Sequence, residues 1–156
     1  MARSFAFEIR SRLAAPADAV WAHATRMSGV NSELFPLVRM THPRGLDSLA
    51  DRQVPLGGRV FRSWILFAGI LPIDFDDLTF VELEPGRFLE RSPMLSQREW
   101  EHERRVEPSG GGCEISDRVR SVPRIGALAP LFRAVFLLAF RLRHRNLRRR
   151  FGILPP

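Results

Sequence analysis

The sequence PRIGALAPLFRAVFLLAFRLRHRNLRRRFG, residues 123–152, decides the fold class of this chain. Placed on a helix, it has one apolar stripe, formed by Phe136, Phe140, Leu147 and Phe151. The spacings of 4, 7 and 4 residues bring these side chains to one face of the helix. A helix of this kind needs a broad apolar surface to lie against. The residues before it, which read as a series of strands, are predicted to supply that surface.

The net charge of +7 is concentrated at the end of this helix. Residues 141–150 hold six arginines and no acidic residue, so they account for six of the seven excess positive charges. Cations interact favourably with the dipole at a helix C-terminus, which makes a solvated helix end sufficient to explain the charge. Nucleic acid is therefore not expected as a partner. The alternative is an anionic membrane surface contacted through Arg141, Arg145, Arg148 and Arg149.

Length, cysteine content and the N-terminus predict a single cytoplasmic domain over residues 1–156. A lone cysteine, Cys113, excludes an internal disulfide and fits a reducing compartment. The N-terminus lacks the apolar region of a signal peptide. The longest apolar runs, residues 63–73 and 127–140, are too short to span a bilayer.

Alternation of apolar and polar residues predicts seven strands. They span residues 5–13, 37–41, 59–67, 72–83, 88–94, 97–106 and 113–122. Two short helices are expected after the first strand. One begins at Ala15-Pro16 and the other covers residues 31–35, with a break at Met27-Ser28-Gly29 between them. Residues 41–58 are polar and rich in turn formers, which predicts a long loop.

Short turns between the late strands make neighbouring strands antiparallel. The sequence therefore predicts an α+β fold in which a seven-stranded antiparallel sheet wraps around a long C-terminal helix. The strands carry large apolar side chains, and a sheet curled around the helix can leave a cavity between the two.

Six short segments resemble the START-like (SRPBCC) superfamily of helix-grip proteins, which includes the Bet v 1-like pollen allergens. They are Ala15–Trp21, Gly29–Asn31, Leu71–Pro72, Trp100–Arg104, Ile115–Val119 and Arg143–Leu147. Within the superfamily the chain looks most like bacterial polyketide cyclase/dehydrase-like proteins of unknown substrate. The resemblance covers nearly the whole chain. It implies a sheet that grips the C-terminal helix, with a ligand cavity between them, and it does not specify the ligand.

Two neighbouring strands carry residues that could perform chemistry. On the strand 97–106, Trp100 and His102 share a face opposite a row of glutamates, so they are predicted to point into the cavity. Asp117 lies on an apolar face of the next strand, where a carboxylate must be paired. Its candidate partners are Arg98, Arg104, His102 and Arg143.

Two interpretations of this group remain open. In the first, His102 and Asp117 are catalytic, as a carboxylate–histidine pair that moves a proton or polarises a ligand carbonyl. In the second, Asp117 and Arg104 form a structural ion pair. His144 lies at the border of the apolar stripe, where it faces the cavity or packs as a hydrogen-bonded core residue. The spacing of these residues is not a metal-ligand signature, and neither a metal nor another cofactor is predicted.

Aromatic and other apolar residues of the strands could line the pocket or form plain core. With the polar candidates, the predicted ligand-binding set is Trp64, Phe75, Phe80, Met94, Arg98, Trp100, His102, Arg104, Asp117, Phe140, Arg143 and His144. The sequence lacks GxSxG, P-loop and GxGxxG motifs.

Three functional hypotheses follow. The first is binding of a small, mostly apolar ligand such as a lipid, polyketide or isoprenoid, with residues 31–35 and 41–58 as the entrance lid. The second is a cyclase or dehydratase in which Arg98 or Arg104 stabilises an enolate. The third is an interaction module, because Leu131, Val135 and Leu138 face away from the apolar stripe. A homodimer or an anionic membrane surface would cover them.

Overall fold

The computed structural model describes residues 3–50 and 54–156. The elements in chain order are β1 (Phe5–Leu13), α1 (Ala17–Ala24), α2 (Met27–Leu34), β2 (Val38–Met40), β3 (Arg59–Phe67), β4 (Leu71–Glu84), β5 (Arg87–Ser92), β6 (Gln97–Ser109), β7 (Gly112–Pro123) and α3 (Ala129–Phe151). A 3-10 turn at Gly126–Leu128 precedes α3.

The seven strands form one antiparallel sheet in the order β1-β7-β6-β5-β4-β3-β2. Strands β3 to β7 are successive neighbours because short turns join them. The two helices α1 and α2 carry the chain from β1, at one edge of the sheet, to β2 at the other edge. This arrangement confirms the predicted helix-grip fold and its α+β class.

The apolar stripe of α3 lies against the inner face of the sheet. Phe140 and Leu147 are buried, and the ring of Phe140 meets that of Phe7 at 5.5 Å between centroids. Nearer the start of the helix, the ring centroids of Phe136 and of Trp100 on β6 are 4.6 Å apart. The helix ends at Gly152, whose φ of 78° is left-handed and suits glycine. The stripe read from the sequence is thus the face that holds α3 to the sheet.

The predicted bounds of the second helix were wrong. The sequence analysis placed a break at Met27-Ser28-Gly29, whereas α2 begins at Met27 and contains Gly29. A Cβ atom on Gly29 would lie 1.8 Å from the carbonyl oxygen of His23. The missing side chain therefore lets α2 pack directly against the end of α1, and this glycine marks a close contact between two helices.

The predicted long loop at residues 41–58 contains no helix or named strand in its described part, residues 41–50 and 54–58. Residues 51–53 of that loop lie outside the described residues. Across the described chain, no helix is long and apolar enough to cross a bilayer.

Candidate functional site

A cavity of about 460 Å³ lies between the inner face of the sheet and α3. Most of its wall is apolar, and includes Leu34, Met40, Ile65, Met94, Trp100, Phe132, Val135, Phe136, Ala139 and Phe140. The polar residues on its wall are Asp74, Asp76, Glu90, Ser96, His102 and Arg143. The volume falls in the range of small-molecule sites, roughly 300–1,000 Å³.

Behind this cavity, Asp117 is the centre of a buried hydrogen-bonded cluster. Arg104 lies directly opposite Asp117 in the pairing of β6 with β7, so the two side chains meet across the strands. The Arg104 guanidinium donates from Nε to Oδ1 and from a terminal nitrogen to Oδ2, both at 2.7 Å. His102 Nε2 lies 2.6 Å from Oδ1, and His144 Nε2 lies 2.8 Å from Oδ2. Burial alone would raise the pKa of Asp117, but Arg104 and then His102 outweigh it and hold that pKa well below its usual range.

Glu33 on α2 completes the cluster, and the sequence analysis did not find it. Its carboxylate accepts hydrogen bonds from Arg104 at 3.0 Å and from Nε of Arg143 at 2.8 Å. Glu33 is fully buried, on the side of α2 that also carries Val30 and Leu34. The sequence contains a signal for it. Glu33 lies one turn after Val30 on a short helix, so it shares an apolar face, and a carboxylate there must be paired, as for Asp117. The partners of Glu33 could not be named, since Arg143 is 110 positions away.

His102 connects the buried cluster with the cavity. It lines the cavity, and its ring is held edge-on between Phe88 and Phe140 at centroid distances of 5.2 and 5.0 Å. Because Asp117 is ionised and accepts from Nε2, that nitrogen carries a proton. The other ring nitrogen, Nδ1, faces Oε1 of Glu90 at 3.7 Å. His102 therefore contacts Asp117 through one ring nitrogen and directs the other toward Glu90 at the cavity wall.

Two carboxyl groups, Asp76 and Glu90, sit beside His102 and were also missed. Glu90 lies opposite His102 in the pairing of β5 with β6, and Asp76 comes from the neighbouring strand β4. Burial and then the Glu90 carboxylate raise the pKa of Asp76 well above its usual value. For Glu90, burial acts in the same direction, but polar contacts with His102 and Asp76 outweigh it and lower its pKa. The pKa values of two neighbouring buried carboxyls move apart because both groups cannot ionise cheaply.

Asp76 was readable from the sequence by the argument applied to Asp117. It alternates with Leu78 and Phe80 on the buried face of β4. Phe80, a predicted pocket residue, shares this face with Asp76.

Five of the predicted ligand-binding residues do line the cavity: Met94, Trp100, His102, Phe140 and Arg143. Three others, Arg104, Asp117 and His144, are fully buried in the cluster behind it. His144 donates from Nε2 to Asp117, and its Nδ1 lies 2.8 Å from the hydroxyl of Ser11. It is a hydrogen-bonded core residue, which was one of the two interpretations.

The remaining four predicted residues lie away from the cavity, and their expected positions were wrong. Phe80 packs in a separate core cluster with Phe88. Trp64 and Phe75 meet edge to face on the outer face of the sheet, because the residues that alternate with them on β3 and β4 point inward. Arg98 is exposed on the outer face, because a bulge between Gln97 and Glu99 shifts the alternation of β6.

Of the predicted lid, the segment 31–35 contributes Leu34 to the cavity wall. Leu37, Val38 and Met40, at and around β2, contribute to the wall, together with Leu34 at the end of α2. The described residues of the 41–58 segment do not line it.

His102, His144 and Asp117 are in contact through hydrogen bonds. Over residues 3–50 and 54–156, no group of three or more His, Cys, Asp or Glu side chains is arranged to hold a metal ion.

A family model described as "Domain of unknown function (DUF8410)" matches residues 11–151. The chain belongs to this family. No curated protein matches the sequence.

Solved structures similar to this DUF8410 chain show the same fold. Protein CV1439 from Chromobacterium violaceum aligns over 97% of this chain and 99% of its own, with a TM-score of 0.69 and 14% identity. Ara h 8.0201 aligns over 92% and 95%, with a TM-score of 0.62 and 10% identity. DynU16, from the dynemicin biosynthetic locus, aligns over 92% of this chain but 47% of its own length, with a TM-score of 0.58 and 19% identity. These structures confirm the predicted helix-grip fold, and at identities of 10–19% the likeness shows the fold alone.

Proposed function

We propose that this protein binds a small, mostly apolar ligand in the cavity between the sheet and α3. The observation that carries the proposal is the cavity itself, about 460 Å³ with an apolar wall and a small group of polar side chains. The resemblance to START-like proteins supports it, because that superfamily is expected to place its ligand between sheet and helix. A lipid, polyketide or isoprenoid-like molecule has the required character.

The geometry favours binding for two reasons. Removing apolar ligand surface from water contributes about 2.5 kcal/mol per 100 Å². The polar end of the ligand would meet His102, whose ring is held by Asp117 and two phenylalanines, so little freedom is lost when it forms a hydrogen bond.

The first test is native mass spectrometry of freshly purified protein, followed by solvent extraction of any bound molecule. Ala139 lines the cavity and Ala134 is exposed on the same helix, so Ala139→Phe and Ala134→Phe form a matched pair. We expect a co-purified or added apolar compound on wild type and on Ala134→Phe, with loss of binding on Ala139→Phe. Equal binding by both variants would place the ligand elsewhere.

A second candidate function is a cyclase- or dehydratase-type enzyme with His102 as general acid–base and Asp117 as its positioning residue. The observation that favours it is that His102 contacts both Asp117 and the cavity, which an enzyme requires and a binding protein does not. Neither Arg98 nor Arg104 suits the enolate-stabilising role, because Arg98 lies on the outer face and Arg104 is buried in ion pairs. Among the described residues, the arginine that lines the cavity is Arg143.

Proton exchange tests this candidate without a known substrate. We expect the protein to catalyse deuterium exchange at the α-carbon of a small β-diketone, followed by NMR. His102→Gln should abolish the exchange, and His42→Gln, at an exposed histidine, should not. Equal exchange rates in both variants would remove His102 from the chemistry.

The outward face of α3 supports a third candidate, contact with an anionic membrane surface. Leu131 and Leu138 are 58% and 60% exposed, and Arg145 follows at the same seven-residue spacing, so all three share one side of the helix. We expect salt-sensitive sedimentation with vesicles containing phosphatidylserine, weakened by Leu138→Asp. Sedimentation that ignores salt and lipid charge would contradict it, and a dimer in analytical ultracentrifugation would assign this face to a second copy.

A further inference from the structure

The buried cluster behind the cavity is balanced in charge. Its two arginines, Arg104 and Arg143, are matched by two carboxylates, Asp117 and Glu33, at distances of 2.7 to 3.0 Å. Arg143 lies on the cavity wall, but its Nε is bound to Glu33. The cluster therefore leaves no surplus positive charge to attract an anionic ligand, although two arginines lie within it.

The cavity wall itself carries three further carboxyl groups. Asp74 is already satisfied, because it accepts hydrogen bonds from the backbone nitrogens of Phe75 and Ser96 and from the Ser96 hydroxyl. Glu90 accepts a hydrogen bond from Ser92 at 2.7 Å and is in polar contact with Asp76. Its other oxygen faces Nδ1 of His102 at a distance too long for a hydrogen bond.

Asp76 is the unsatisfied member of this group. It is 4% exposed, and its Oδ1 is the one buried side-chain oxygen or nitrogen in the described part of the chain with no hydrogen-bond partner. A buried polar atom without a partner costs free energy, and most such atoms in proteins have one. Asp76 lines the cavity, so a bound molecule can reach its carboxyl group.

We propose that the cavity selects an apolar molecule whose polar end is an amine, held as an ammonium group by the Asp76 and Glu90 carboxyls. An ammonium group has several N–H donors and one positive charge. It would satisfy the free capacity of Asp76 and compensate the charge of Glu90, which a carboxylate could not do. A fatty acid would instead bring a third carboxylate against this pair. The inference rests on the proposed function, because it names the ligand class for the same cavity.

Three probes with one chain length and different head groups test the proposal: decylamine, decanol and decanoate. We expect isothermal titration calorimetry on the full chain to rank decylamine first, at least about tenfold above decanol, with decanoate weakest. Glu90→Gln should weaken decylamine by about tenfold or more and leave decanol unchanged. Glu101→Gln removes a charge from the outer face of the neighbouring strand, and it should leave all three affinities at the wild-type values.

Ala139→Phe distinguishes binding in the cavity from selectivity for an amine, since it blocks the cavity without changing the carboxyl pair. If decanoate or decanol binds wild type as tightly as decylamine, and Ala139→Phe abolishes that binding, the cavity binds apolar molecules and the amine selectivity is wrong. If no probe binds wild type, the proposed function fails and this inference fails with it. The ranking on wild type decides the question even if Glu90→Gln does not fold.

Discussion

Replacing Asp117 with asparagine should destabilise the fold severely. Asp117 is fully buried and accepts hydrogen bonds from Arg104, His102 and His144. Asp117→Asn keeps the shape of the side chain but removes its charge. Arg104, also fully buried, would then face Glu33 alone, while Glu33 also serves Arg143.

The magnitude follows from the burial of both partners. Breaking one side of a buried ion pair costs about 3–5 kcal/mol, against a total stability of about 5–15 kcal/mol for a domain. For a chain of this size each kcal/mol lowers the melting temperature by about 2–4 °C, so we expect a loss of about 6–20 °C. The matched control is Glu101→Gln, which breaks the exposed pair with Arg91 and should cost about 0–1 kcal/mol.

The assay is urea unfolding followed by circular dichroism and tryptophan fluorescence, with equal slopes required for comparison. The pH dependence supplies a second signature. Because the pKa of Asp117 is lowered in the folded state, its contribution is present above the unfolded pKa of about 3.9 and is lost as pH falls through the folded pKa. The difference between wild type and Asp117→Asn should therefore shrink in acid. A loss below about 1 kcal/mol at pH 7 would refute the reasoning, since it would mean that Arg104 is solvated or otherwise paired.

Three further expectations concern residues that the sequence analysis missed or misread. The raised pKa of Asp76 means that the folded state keeps a proton that the unfolded chain loses above about pH 4, so stability falls as pH rises from there. Asp76→Asn should remove that slope in unfolding measured at pH 5 and pH 8, and an unchanged slope would show that Asp76 is ionised. Glu33→Gln should destabilise the fold by about 3–5 kcal/mol, because the buried Arg104 and Arg143 then lose the carboxylate that they share. Wild-type stability in urea would contradict the buried pairing. Gly29→Ala, normally favourable inside a helix, should instead lower the melting temperature because its Cβ would meet the His23 carbonyl, and a rise would show that α2 can shift.

The sequence by itself determined the elements and most of their order. Alternation in β1, β3 and β7, and the helical spacing of Phe140 and Leu147 in α3, are local patterns that decide which face of each element is apolar. The short turns between late strands then leave few ways to pair them. The same patterns placed Trp100 and His102 on the inner face and put Asp117 on a buried one, and the structure agrees.

The tertiary structure decided which polar groups meet. Glu33, Arg143 and Asp117 come from α2, α3 and β7, and no local periodicity relates positions so far apart. A single bulge in β6 turned Arg98 outward, since one extra residue reverses the alternation on which every orientation in a strand depends.

Periodicity reports the direction of a side chain relative to its own element, whereas charge pairing depends on which elements the sheet and α3 bring into contact. The sequence could therefore show that Asp117 is buried. Only the folded chain shows that the charge of Asp117 is balanced in a cluster behind the cavity, and that Asp76 has an unpaired carboxyl oxygen on the cavity wall.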